Sequence, residues 1–217
     1  HAQESRGLGD VYKRQLVINK SNNTSSGTGT TSLQDGLTYG NFPFGTRVQD
    51  SMICLNVPDV IMVYGIFESS DTEDPSPPSM TTGSMSGSTA TTNDLSVGDQ
   101  IIGKISKAKA LYIGKINDTS INFIYQTPTL FESGEIVDFV DSGVTAVVTN
   151  ITAGDENILG DFQFRNGQNS TIYDYSRIIR NADAAVPTNR LKVYYESASY
   201  SCLLYTSDAA DDTPCVD

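Results

Sequence analysis

Histidine is nearly absent from this sequence: the 217-residue chain contains one, and it is the first residue, His1. A Ser-His-Asp or Cys-His arrangement needs an imidazole beside its nucleophile, and histidine is also the commonest metal ligand and neutral-pH general base. With one imidazole at the very start of the chain, neither kind of site is expected. Chemistry by paired carboxylates, by lysine or by tyrosine stays open.

Cysteine and long apolar runs are scarce too. Of the three cysteines, Cys202 and Cys215 lie near the C-terminus and only Cys54 lies in the body of the chain. A lone cysteine makes no intrachain disulfide and no cysteine-based zinc site. The apolar neighbours of Cys54 predict a buried, inert thiol, with a reactive nucleophile as the alternative. No apolar run approaches the ~20 residues of a transmembrane helix, so no membrane span is expected.

Basic residues are outnumbered by acidic ones. Fourteen Lys and Arg stand against 26 Asp and Glu, and the net charge is −12. Phosphate binding needs clustered positive charge, so no nucleic-acid partner is predicted. The densest acidic stretches, DTEDP (71–75) and GDENILGD (154–161), lack the spacing of a calcium loop and predict solvated loops. A carboxylate pair for glycoside hydrolysis stays open, because its separation is set by the fold.

The two ends of the chain resemble translated sequencing-adapter DNA. SRGLGDVYKRQ (5–15) matches the in-frame translation of a transposase-based adapter, and CLLYTSDAAD (202–211) matches the same transposon end in the opposite orientation. We therefore expect residues 1–15 and 202–217 to be adapter-derived, with a natural basic start and acidic tail as the alternative. On this interpretation His1, Cys202 and Cys215 belong to no functional site, and residues 16–201 are an interior fragment.

Between these ends, short apolar runs alternate with turn residues. VIMVYGIF (60–67) is β-branched and aromatic, and similar short runs follow it, separated by Gly, Asn, Asp and Ser. This spacing predicts an all-β fold of tandem small antiparallel domains, barrel- or sandwich-like, with a helical turn around 175–180 as the exception. Polar, Ser- and Thr-rich segments predict a linker or domain edge at 16–38 and a long polar loop at 68–94.

The sequence also contains an internal repeat. Shifted by 36 residues, Gly98-Asp99 falls on Gly134-Glu135, and the apolar positions that follow coincide. The pattern predicts two strand–turn–strand copies, at 96–115 and 132–151. A hairpin with one apolar face cannot bury that face alone, so we expect the two copies to pair in a small barrel or sandwich.

The repeat sets the predicted domain boundaries. It falls within a β domain at 39–152, which also contains the polar loop, and a second β unit at 153–201 is cut short by the adapter-like end. In that second unit the dipeptide Asn166-Gly167 has the composition of a type I′ hairpin turn, because both residues tolerate a positive φ.

No residue is predicted to be catalytic, to bind a cofactor or to hold a metal ion. Aromatic side chains with a polar tip suit interfaces and sugar-stacking surfaces, and they suit a β core or a contact between subunits as well. The candidates for such an interface are Tyr173, Tyr175, Tyr194 and Tyr195.

Two stretches resemble large virion structural proteins of contractile-tailed phages from marine hosts. Residues 44–80 contain the Phe-Gly-x-Arg-Val start, the Leu-x-Val-Pro-Asp-Val core and the Glu-Ser-x-Asp…Pro-x-x-Pro-Ser pattern of those proteins. Residues 162–180 contain their Asn-Gly-Gln…Tyr-Asp-Tyr-Ser-Arg-Ile segment. The resemblance covers roughly 42–195 and carries no catalytic residues.

The resemblance implies a non-enzymatic segment of a phage tail, baseplate or fibre protein that acts in assembly or host contact. The implied partners are other virion proteins or further copies in a homo-oligomer, with a host-surface glycan as a candidate ligand. The implied location is the virion tail, assembled in the bacterial cytoplasm, and no cofactor is implied. The alternatives are a glycan-binding or adhesion module of an extracellular protein and, third, a virion-associated glycan-degrading enzyme.

Overall fold

A computed structural model of the chain describes residues 10–18, 45–86, 92–169 and 172–199. In these segments the regular elements are fifteen strands, all paired antiparallel, and two 3₁₀ turns, at Thr92–Asp94 and Leu159–Asp161. The prediction of an all-β fold of small antiparallel domains, barrel- or sandwich-like, is therefore confirmed. Most of the predicted linker at 16–38 and the whole of 202–217 lie outside the described residues.

The strands divide between one barrel and the sheets beside it. In chain order they are β1 (Asp10–Ile18), β2 (Met52–Cys54), β3 (Val60–Glu68), β4 (Ser79–Ser86), β5 (Gln100–Gly103), β6 (Lys109–Asn117), β7 (Ser120–Tyr125), β8 (Ile136–Phe139), β9 (Val144–Thr152), β10 (Glu156–Asn157), β11 (Phe162–Arg165), β12 (Gln168–Asn169), β13 (Ile172–Tyr173), β14 (Arg177–Arg180) and β15 (Leu191–Ser199).

Strands β4 to β9 close into a six-stranded barrel in the order β4-β7-β6-β5-β8-β9. Successive side chains of a strand point to opposite faces, so alternate residues fill the interior. In β7, for example, Ile121 and Phe123 are fully buried. They pack with Ile101 and Phe139 from the strands on the other side of the barrel.

Strand β4 lies within the stretch predicted as a long polar loop, so that loop is shorter than expected. Thr is β-branched and favours extended backbone, and the barrel supplies partners for the hydroxyl groups. Met80 and Thr82 point inward and are buried. The hydroxyls of Thr81 and Ser120 lie 3.2 Å apart, and Thr149 Oγ1 donates to the Thr81 carbonyl at 2.9 Å. Hydroxyl contacts with neighbouring strands thus complete a strand that is poor in apolar residues.

Each copy of the 36-residue repeat folds as a hairpin, β5–β6 and β8–β9, and the two hairpins meet through the pairing of β5 with β8. Their backbone hydrogen bonds repeat at equivalent positions. Gly98 N–H donates to the Tyr112 carbonyl at 2.8 Å, and Gly134 N–H donates to the Val148 carbonyl at 2.7 Å. The repeated sequence pattern therefore corresponds to repeated structure within one barrel.

The acidic residue of each copy binds the turn of the other copy. The carboxylate of Asp99 accepts the N–H groups of Asp141 and Ser142, at 2.8 and 3.0 Å. The carboxylate of Glu135 accepts the N–H groups of Ile105 and Ser106, both at 3.1 Å. Both acids are buried, and burying a carboxylate is costly unless it accepts such hydrogen bonds. These reciprocal carboxylate bonds join the two hairpins.

A four-stranded sheet, β1-β15-β3-β10, packs beside the barrel and is built from chain segments on both sides of it. The sequence-based boundary between 152 and 153 separates β3 from β15, yet these two strands are neighbours. Each presents a row of buried apolar residues, such as Ile66 and Val193, so pairing lets them share one core. Sequence spacing indicates hairpins between consecutive strands and gives no sign of this long-range pair.

The last unit also differs from two local predictions. The strand before Asn166-Gly167, β11, pairs with β14 rather than with the residues directly after the turn, and β12 and β13 form a small hairpin of their own. The predicted helical turn at 175–180 is wrong for Arg177–Arg180, which is strand β14. This strand lies between β11 and β2, and hydrogen bonds on both edges favour the extended form over an isolated helical turn.

Candidate functional site

The four candidate tyrosines do not form one exposed surface. Tyr194 and Tyr195 are neighbours on β15 and are both buried, Tyr195 in the core of the sheet and Tyr194 against Phe67 and Ile124 where the sheet meets the barrel. Burial raises the pKa of Tyr194 to about 12. Tyr175 is exposed, and the side chain of Tyr173 lies outside the described part of the chain.

The strongest candidate for a binding site is a half-open cavity of about 370 Å³ between the barrel and the chain that follows β9. This volume lies in the usual range for small-ligand pockets. Its walls come from segments far apart in sequence, which is why no sequence pattern indicated it. The lining residues are Phe67, Pro78, Tyr125, Leu130, Phe131, Ile151, Ala153, Asp155 and Asn157.

Aromatic rings form one wall of this cavity. β7 ends at Tyr125, and the following segment turns back so that the ring of Phe131 lies 5.3 Å from that of Tyr125, centre to centre. The Tyr125 hydroxyl accepts the Phe131 N–H at 3.2 Å, which holds the turn closed. Burial is the main cause that raises the pKa of Tyr125; the Phe131 bond lowers it and the charge of Glu135 raises it. Leu130 stands on the rim with 63% of its surface exposed.

Asp155 supplies the one ionisable carboxylate of the lining. It follows Gly154, where a Cβ would lie 2.6 Å from the backbone at Pro77 and Pro78, so only glycine permits this close approach. The Asp155 carboxylate accepts the N–H of Ser76 at 2.8 Å and that of Ser70 at 3.0 Å. Burial opposes its charge, but these hydrogen bonds outweigh burial and hold the pKa of Asp155 below its ordinary value. Asp155 is therefore negatively charged at neutral pH.

Asn157 is the other polar side chain of the lining. Its Oδ1 atom accepts the N–H of Ile66 at 3.2 Å and that of Leu159 at 3.1 Å. Its amide nitrogen makes no hydrogen bond to a described residue. The lining thus combines apolar walls with a fixed carboxylate and an amide donor, which suits binding of an apolar group with a polar or cationic end.

Cys54 is only half-buried, although its apolar neighbours predicted a buried thiol. The reason is local, because it ends the three-residue strand β2, and its Sγ atom accepts the N–H of Asn56 at 3.3 Å. Ile53 and Leu55, on either side of Cys54, are fully buried, so the alternation of side chains along the strand directs Cys54 to the opposite face. Cys54 lies outside the lining of the cavity.

The described residues contain no group of three or more His, Cys, Asp or Glu side chains placed to hold a metal ion. None of their helical segments has the length and apolarity to cross a membrane. Comparisons of the chain with protein-family models, with curated proteins and with solved structures gave no match.

Proposed function

We propose that this chain is a structural, non-enzymatic segment of a phage tail protein, from the baseplate or a fibre, that acts in assembly or host contact. The observation that carries the proposal is the packing together of the two stretches that resemble virion proteins. Residues 81–161 separate them, yet β2 from the first pairs with β14 from the second, with Cys54 opposite Arg177 and Met52 opposite Ile179.

Charged residues of the first stretch support a structural role, because they bind the chain's own backbone. The buried carboxylate of Asp50 accepts the Gly45 N–H at 2.7 Å and forms an ion pair with Arg47 at 2.7 Å. Arg180, from the second stretch, donates to the carbonyl of Gln49 at 3.3 Å. Side chains paired in this way hold the turn before β2 in place.

The second stretch is joined to the first by a buried serine. Ser176 Oγ accepts the N–H of Val60 at 3.2 Å and donates to the carbonyl of Asn166 at 2.9 Å. Gln168 Nε2 donates to the carboxylate of Asp59 at 2.9 Å. Polar residues of both motifs are thus engaged in holding the module rigid, as expected of a part that works by shape rather than by chemistry.

The proposal is tested by recovering the full gene and its neighbours from the source DNA and by mass spectrometry of density-purified phage particles. We expect neighbouring genes for tail sheath, tube or baseplate, and peptides from residues 45–199 in the particle fraction together with sheath protein. Housekeeping neighbours, or peptides confined to the cellular fraction, would contradict it. Glycan binding by a chain that is absent from particles would favour an adhesion module instead.

A further inference from the structure

We infer that the cavity beside Asp155 binds a lysine or arginine side chain that a partner protein presents next to an apolar residue. The inference rests on the proposed function only in naming that partner as a neighbouring virion protein. The chemistry of the cavity is independent of that function.

The shape of the cavity suits the stem of a basic side chain. Phe67, Pro78 and Phe131 are buried side chains that form apolar walls, and Lys and Arg carry an aliphatic stem that packs on such surfaces while the charged head stays hydrated. A volume of about 370 Å³ leaves room for an apolar neighbour of the basic residue as well.

The charge near the cavity selects a cation. Asp155 is held by Ser70, and the exposed acidic residues Asp71, Glu73 and Asp74 follow Ser70 directly in the chain. Arg190 is the basic residue paired with this loop, and its guanidinium lies 3.1 Å from the Asp74 carboxylate. Asp155 and these three acidic residues outnumber Arg190 and Lys192, which lies opposite Phe67 in the pairing of β15 with β3, so this side of the cavity attracts cations and repels anions.

The rim indicates a polypeptide rather than a free small molecule. Leu130 has 63% of its surface exposed, and Ala153, another residue of the lining, is exposed as well. A small amine that filled the cavity would leave the outer surface of both residues in water. A protein segment that inserts one basic side chain covers both, because its backbone and apolar neighbour lie across the rim.

Binding of short peptides to the full 217-residue chain tests the inference. The probes are acetyl-Gly-Leu-Arg-Leu-Gly-amide and two analogues with citrulline or glutamate in place of arginine, measured by calorimetry at low and high salt. We expect the arginine peptide to bind, the citrulline peptide to bind about tenfold more weakly or worse, and the glutamate peptide not to bind. Added salt should weaken the arginine peptide most. Equal binding of all three, or none by the arginine peptide, would overturn the inference.

A matched pair of variants at the exposed rim separates charge from shape. Leu130→Lys should weaken the arginine peptide about tenfold more than Leu130→Glu does, because both variants lose the apolar rim contact and only lysine repels the bound cation. Ile105→Lys, at a position that is 65% exposed and outside the lining, should bind as wild type. Wild-type binding by Leu130→Lys would contradict the inference. Asp155→Asn should abolish the preference for arginine over citrulline, with thermal unfolding checking that the loop remains anchored.

A small amine used as a further probe distinguishes a protein partner from a free small molecule as the source of the cation. 4-Phenylbutylamine should bind more weakly than the arginine peptide, because it leaves the rim uncovered. Binding as tight as that of the peptide would overturn the assignment to a protein partner. If no probe peptide binds, but fragments of this chain are found in phage particles, this inference is contradicted and the proposed function is not.

Discussion

Ile102 lies directly opposite Asp138 in the pairing of β5 with β8, and the two positions are 36 residues apart in the chain. A residue thus faces its own equivalent in the other copy of the repeat, so a local two-fold axis passes between them. The same axis relates Asp99 to Glu135, which bind each other's turns. The stability of the barrel therefore depends on two equivalent acids, and each can be tested.

Removing the Glu135 carboxylate should destabilise the barrel strongly. Glu135→Ala leaves the N–H groups of Ile105, Ser106 and Glu132 without their acceptor, and we expect a loss of about 2–4 kcal/mol in the free energy of unfolding. Urea unfolding at neutral pH measures it. The control is Glu132→Ala, whose side chain is exposed and whose effect should stay within about 0.5 kcal/mol. Equal effects of the two variants would refute the importance of the reciprocal carboxylate bonds.

The same carboxylate makes stability depend on acid pH. Burial opposes the charge of Glu135, but hydrogen bonds from Glu132, Ser106 and Ile105 outweigh it and hold its pKa below 4.5. A lowered folded-state pKa contributes stability above 4.5, and this contribution is lost as the pH falls through the folded pKa. We expect the unfolding free energy to decrease below pH 4.5, and to decrease less in Glu135→Gln. Parallel curves for the two proteins would contradict this.

The buried side chain of Tyr194 should make the stability of the fold decrease at alkaline pH. Burial raises its pKa from 10.0 to about 12, so the folded chain keeps its proton between these pH values while the unfolded chain releases it. Stability should therefore decrease by about 1–1.5 kcal/mol between pH 8 and pH 11, because the unfolded chain loses this proton near pH 10 and the folded chain near pH 12. Tyr194→Phe keeps the ring against Phe67 and Ile124 and should remove this part of the loss. Denaturant midpoints at pH 8 and pH 11 measure the loss of stability. An equal loss in Tyr194→Phe and in the wild type would contradict the role given to Tyr194.

Gly167→Ala should disrupt the unit around Ser176. Gly167 has φ 80°, and a Cβ there would overlap the carbonyl oxygen of Asp174 and lie 2.7 Å from that of Tyr175. We expect a loss of about 2 kcal/mol or more, from the left-handed backbone and the overlap together. Gly160→Ala is the matched control, because a Cβ there meets nothing within 4 Å. Thermal unfolding of both variants decides the matter, and similar melting temperatures would disprove it.

The hairpins were predictable from the sequence because their information is local. The 36-residue repeat indicated both copies, and alternating runs such as SINFIYQT marked the barrel strands. The sequence of β4 does not by itself indicate a strand, because the strand is stabilised by hydroxyl groups on β7 and β9. Composition alone makes Ser79–Ser86 look like loop, and only its neighbours make it a strand.

The sheet and the cavity were not predictable, because both depend on contacts between distant segments. β3 and β15 are more than a hundred residues apart, and nothing in either strand identifies the other. The cavity needs Phe67, Tyr125 and Asp155 to meet, and none of the three has an unusual local pattern. The tyrosines of β15 were singled out for their composition, and the burial of Tyr194 and Tyr195 depends on the same distant pairing.

The barrel begins and ends at one place. Ser79, its first strand residue, lies opposite Thr152, its last, in the pairing of β4 with β9. The chain leaves the sheet that contains β3 just before Ser79 and returns to it just after Thr152. These two positions are one strand spacing apart, about 5 Å. The barrel is thus an insertion in a host domain formed by the flanking strands, and a short turn bridging the two ends would restore continuity. The barrel can therefore be exchanged, lengthened or lost by recombination at two adjacent points, without altering the domain that carries it.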